Sequence, residues 1–182
     1  MKKIMNLFMA VVLFAACSSN KLDRDKALQL IQEKKLYPKI ISYNVFTADP
    51  VHARRMLDAG LESSGLLTVQ RAQKLMNVGK PIIAFTDKAK PYLLPTPEED
   101  REDNIQLIKI ADEELEDIIG VQLLDGDKQA VVEYKTSYKN ITPFSTLSRL
   151  RLNEKNIHKA YFSLNDDGWR VEEKPGREFL GK

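Results

Sequence analysis

The chain of 182 residues carries 28 Lys and Arg, 26 Asp and Glu, two His and one Cys. Nucleic-acid binding draws most of its affinity from clustered cations on phosphates, and so balanced a chain gives it no support. A single cysteine excludes a disulfide framework and a thiolate metal site, and the length suits one domain or two small ones.

Lys2 and Lys3 precede a mostly apolar run from Ile4 to Ala16, the charged and hydrophobic regions of a secretory signal. Spanning a bilayer takes about 20 apolar residues, so this run is too short for it. It ends Leu13-Phe14-Ala15-Ala16-Cys17-Ser18, and the sole cysteine behind two small residues resembles the lipobox of bacterial lipoproteins. That resemblance implies a signal peptide over 1–16, cleavage before Cys17, a diacylglyceryl group on its thiol and acylation of the new amino terminus. Ser18, rather than Asp, after the cysteine implies the outer membrane, with the folded part facing the periplasm or the cell surface. Loss of Lys2 and Lys3 leaves 26 basic residues against 26 acidic ones, so the processed chain is formally neutral. Residues 17–23 then read as the lipidated cysteine and a short polar tether.

A mixed helix and strand lobe is expected over 24–95. Ala27, Leu28 and Ile31 share one helical face behind the capping Asp23, and Pro38 ends the pattern. Ile40 to Thr47 alternates as a strand. Asp49-Pro50 opens a second helix, with the carboxylate at N-cap and proline at N1, and its apolar stripe runs through Ala53, Met56, Leu57 and Leu61. Leu66 to Leu75 reads as a strand, Asn77 to Pro81 as a turn, Ile82 to Phe85 as a short strand, and Thr86-Asp87 as a brief helical turn. A helix ending in Gly65-Leu66-Leu67, a hairpin, then Phe85-Thr86-Asp87-Lys88-Ala89-Lys90-Pro91-Tyr92-Leu93 resembles the winged-helix pattern.

Residues 96–104 hold five acids and read as an acidic linker. An antiparallel β lobe follows over 105–174, with a tail over 175–182. Its expected strands are Ile105 to Ile110, Leu115 to Leu124, a clean alternation through Ala130, Val132, Tyr134, Thr136 and Tyr138, and another through Ala160, Phe162 and Leu164. Asp125-Gly126-Asp127 and Asp166-Asp167-Gly168 make the hairpin turns, and Trp169 and Val171 continue the apolar face. The fold class is therefore α+β, a helix and strand lobe followed by an antiparallel meander. Its apolar face needs a cover, and the helices of the first lobe, especially Ala53 to Leu61, are available for it. The lobe vaguely resembles the curved sheets of cystatin-like and NTF2-like lipoproteins.

Chemistry is sparse in this pattern. His52 and His158 lack partners at metal-ligand spacing and read as surface or strand-edge residues. Asp112, Glu113, Glu114, Glu116 and Asp117 read as an exposed loop or strand margin. Ser145, Thr146 and Ser148 sit in no nucleophile elbow. The segment Leu147, Arg149, Leu150, Arg151 and Leu152 interleaves apolar and cationic groups, and is the candidate surface for a partner or ligand. No catalytic residue, metal or cofactor is implied. The reading is a non-enzymatic binding or scaffolding module, held to the membrane through Cys17 and serving an unknown envelope protein. Alternatives are a small-ligand-binding envelope protein and a hydrolase.

Overall fold

A computed structural model of the chain describes residues 21–176 and Phe179. Cys17, the expected signal peptide and most of the expected tether lie outside the described residues.

Helix α1 (Arg24–Glu33) starts where Asp23 accepts a hydrogen bond from the Lys26 amide at 2.8 Å, and it buries Ala27 and Ile31. Strand β1 (Lys39–Phe46) follows, then α2 (Pro50–Asp58), whose Asp49 cap accepts from the Val51 amide at 2.7 Å. Gly60, at φ +70°, ends α2 in a left-handed turn that a side chain would strain. A short hairpin joins β2 (Leu67–Val69) to β3 (Ile83–Phe85). A helix of five residues, α3 (Glu98–Glu102), precedes the meander β4 (Ile105–Leu124), β5 (Gln129–Lys139), β6 (Asn156–Asn165) and β7 (Gly168–Glu172).

The main sheet has the order β1-β4-β5-β6-β7, antiparallel throughout. This is the expected α+β fold with a C-terminal meander. One strand of the N-terminal half, β1, joins that meander along β4. A single helix, α2, separates β1 from the hairpin. Thr47 ties the pieces together: its amide and hydroxyl both donate to the Asn104 carbonyl, and its own carbonyl accepts from Ile82 and Ile83.

Three expectations change. The strand expected over Leu66 to Leu75 stops at Val69, because Pro81 opposite has no N–H to extend the ladder. The two strands expected over Ile105 to Ile110 and within Leu115 to Leu124 are one strand of 20 residues. Its ladder to β5 runs through those acids, with register shifts at Leu115/Asp117 and Ile118/Gly120 that bend it. Finally, the cover is divided: α1 lies over the later part of β4 and β5–β7, while α2 packs only where β1 meets the start of β4.

That last point follows from two apolar cores. The first gathers Ala53 and Met56 of α2, Val69, Ile83, Ile108, Ile110, Phe144 and Leu147. The second packs Leu22, Ala27 and Ile31 of the α1 segment on Ile118, Ala130, Val132, Phe162 and Trp169. The long β4 serves both. Every described member of either core lies between Leu22 and Val171.

Candidate functional site

The face of the meander under α1 is apolar along most of its length and turns polar at one end. Along β5 the inward row reads Ala130, Val132, Tyr134, Thr136, all buried. Strand pairing sets His158 of β6 directly opposite Tyr134, with Asn156 opposite Thr136. From β4, Glu113 reaches the same place, with only 5% of its surface exposed.

Four side chains meet there. Glu113 Oε1 accepts from the Thr136 hydroxyl at 2.6 Å, from His158 Nε2 at 3.1 Å and from Asn156 Nδ2 at 3.4 Å. Thr136 Oγ1 also lies 3.0 Å from His158 Nε2. Because the threonine proton goes to the carboxylate, both oxygens offer lone pairs to Nε2, and that nitrogen carries the hydrogen. Burial pushes the Glu113 carboxyl up, but the hydrogen bonds from Thr136 and His158 outweigh it and hold the group below the usual carboxylate range. The imidazole stacks on Tyr134 at 5.3 Å, and the Tyr134 hydroxyl lies 3.2 Å from that of Tyr37, on the turn after α1. Burial, then the Tyr134 contact, pushes the Tyr37 phenol far up, so it stays protonated. A hollow of about 210 Å³ beside the cluster is lined by Gln32, Tyr37, Pro38, Glu114 and Leu115.

The geometry limits the chemistry. In a hydrolase triad the acid orients one ring nitrogen while the other takes the nucleophile's proton. Here Glu113 and Thr136 share Nε2, and Thr136 is fully buried. Relay through the ring is therefore not built into this trio. What it offers instead is hydrogen-bond acceptors. Glu113 Oε2 and His158 Nδ1 have no partner among the described residues, and neither atom is sealed from solvent.

Of the five acids of this run, Asp112 and Glu113 are buried, Glu114 and Glu116 half-buried, and Asp117 alone lies at an exposed margin. Asp112 is buried, held by Lys109 Nζ at 2.6 Å and by Asn140 Nδ2 at 2.9 Å, and the Lys109 contact keeps its carboxyl low against the opposing effect of burial. Glu116 pairs with Lys155 at 2.7 Å and Asp117 with Lys135 at 3.7 Å. His158 is likewise no bare strand-edge residue. His52 lies between Tyr43 and Phe46 and accepts from the Phe46 amide, with burial holding its pKa below the ordinary value. Among the described residues no cluster of His, Cys, Asp and Glu is suited to a metal ion.

The segment singled out from the sequence divides. Leu147 ends a tight turn over Pro143–Leu147 and is buried in the first core, and Leu152 packs against that core. Arg149, Leu150 and Arg151 face solvent, and Arg151 pairs with Glu154 at 3.3 Å. The polar cluster was within reach of strand alternation. Thr136 interrupts an apolar row, and the row Leu164, Phe162, Ala160 continues two residues back to His158. Glu113 could not be reached that way, because its acidic neighbours mask its inward side.

No family model, curated protein or solved structure matches this chain.

Proposed function

We propose that the chain is a lipid-anchored lipoprotein of the outer membrane whose folded part acts by binding an envelope partner rather than by catalysis. Cys17 carries this reading: it is the sole cysteine, and it closes a hydrophobic run with Ala15-Ala16 at its end. The start of the fold is consistent with an anchor there. Leu22 is 3% exposed in the second core, and Asp23 already caps α1. Five residues reach at most about 18 Å, so a lipid on Cys17 would keep the α1 end of the sheet close to the headgroups. Acylation at both the thiol and the amino terminus supplies the several chains that stable attachment requires.

A second reading, binding of a small ligand, draws support from Glu113 Oε2 and His158 Nδ1. Beside the stacked Tyr134 ring, these two acceptors, Nδ1 in the neutral imidazole, suit a ligand that donates hydrogen bonds, a hydroxyl or an amine. The shared use of Nε2 makes hydrolysis the weakest of the three alternatives.

Fractionation of cells expressing the Cys17→Ala variant tests the anchor. The account expects the variant to leave the membrane fraction and to take up no labelled fatty acid. A variant that still sediments with membranes and still labels would refute it. Cross-linking in cells, followed by identification of the captured envelope proteins, tests the binding role.

A further inference from the structure

Among the described residues, the most exposed large apolar side chains are gathered on one loop. Between β2 and β3, Leu75 is 90% exposed, Met76 81% and Val78 69%. Elsewhere exposed apolar residues such as Val51 and Ile157 stand singly, which is ordinary for a protein surface. Three within four residues, on a projecting loop, are not.

The loop is folded, not slack. A single helical turn over Leu75–Asn77 is closed by the Asn77 amide on the Lys74 carbonyl at 2.8 Å, and Lys80 N donates to Asn77 O at 3.0 Å. The Gln73 side chain crosses the base to the Lys80 carbonyl at 3.1 Å. The apolar side chains are therefore presented outward by a turn whose backbone is satisfied. Its charge is one-sided as well. No acid occurs between Gln70 and Thr86, whereas Arg71, Lys74 and Lys80 do. Arg71 is paired with Glu62, but Lys74 and Lys80 form no ion pair among the described residues. At the loop's base the Asn104 side-chain amide donates to the Gly79 carbonyl at 3.4 Å.

We propose that this tip inserts into the interfacial region of an anionic lipid bilayer, with Leu75, Met76 and Val78 entering the apolar boundary and Lys74 and Lys80 meeting lipid phosphates. Shape favours lipid over a protein partner. Leu75 and Met76 are almost wholly exposed and Val78 mostly so, so a protein would need a cavity matched to them, whereas a fluid bilayer adapts to such side chains. Burial of apolar side chains with cations alongside is the pattern of interfacial attachment. The site is also remote from the lipid anchor. The hairpin adjoins Asn104 at one end of β4, while the segment beginning at Lys21 lies against Gly120 and Val121 near the other. Sixteen residues of strand separate these points, up to about 50 Å at the usual strand rise. The tip would thus add a second contact with the membrane far from the first.

This inference does not depend on Cys17, and its test leaves the lipid out. The chain from Ser18 onward carries every described element, and its fold is checked by circular dichroism and a thermal melt. Sedimentation with vesicles of phosphatidylcholine alone, and of equal parts phosphatidylcholine and phosphatidylglycerol, measures binding. The expected result is binding that favours the anionic vesicles, weakened at least about tenfold by Leu75→Asp with Met76→Asp, since affinity follows buried apolar area. Lys74→Glu with Lys80→Glu should abolish the preference for anionic lipid. Both pairs should melt as the parent does, because these side chains face solvent. Absence of binding by the parent, or equal binding by the Asp pair, would overturn the proposal. So would a tip-dependent cross-link to an envelope protein without vesicle binding, which would assign the tip to a protein partner.

Discussion

Two acidic runs lie within twenty residues of each other and meet opposite fates. Glu98, Glu99, Asp100, Glu102 and Asp103 surround a short surface helix, and none forms an ion pair among the described residues. Asp112, Glu113, Glu116 and Asp117 lie within β4, and each has a partner drawn from another position of the sheet or its loops. The compositions are nearly the same. The difference is the surroundings: the first run follows Pro95 and Pro97, while the second is flanked by the β-branched residues that make β4 a strand. Charge density in a sequence therefore does not locate solvent. A carboxylate belongs inside a sheet when neighbouring strands deliver donors, and that delivery is a property of register.

The contrast can be broken by mutation. Replacement of Glu113 by Ala strands Thr136, His158 and Asn156 together, and a loss of about 3 kcal/mol in urea unfolding is expected, near the upper end for a buried group whose partners are left unsatisfied. A loss below about 0.5 kcal/mol would mean that the cluster does not hold the sheet. Asp112→Asn keeps the Asn140 contact but removes the charge facing Lys109, and about 1–2 kcal/mol is expected. Asp112→Ala, which removes the acceptor for Asn140 as well, should in addition raise amide hydrogen exchange over 140–147.

Acid titration sharpens the same comparison. Both Asp112 and Glu113 have folded pKa values held below the ordinary range, so each adds stability above its unfolded pKa, near 4, and that stability drains as pH falls through the folded value. Thermal melts between about pH 6 and pH 2 should fall steeply for the parent and less steeply for Asp112→Asn with Glu113→Gln. Parallel curves would contradict the assignment. The smallest effect belongs to the first run: Glu99→Gln with Glu102→Gln should change stability by no more than about 0.5 kcal/mol, as for ordinary surface substitutions.

Much of the fold was legible because local signals agreed. Asp23 and Asp49 cap helices as their positions imply, and Asp125-Gly126-Asp127 turns the β4–β5 hairpin with all three residues at positive φ. The alternation of Ala130, Val132, Tyr134 and Thr136 matches their burial. What stayed hidden depended on contacts remote in sequence. The partner of β1 is β4, with paired residues from Phe46 and Ile105 to Lys39 and Glu113 far apart in the chain, and no local pattern specifies it. The Glu113 cluster draws on β4, β5 and β6, so it exists only once their register is fixed. Leu147 and Leu152 show the converse. Their spacing among arginines suggested a surface, yet both turn inward against Phe144 and its neighbours, because a loop returning across the first core supplies part of that core.

The anchor remains the centre of the functional account, and the mass of the chain isolated from its own membranes tests it most directly. The expected mature chain begins at Cys17 and is heavier than its sequence by a diacylglyceryl group and an amide-linked acyl chain. An unmodified chain, whether it begins at Met1 or after cleavage elsewhere, would contradict it.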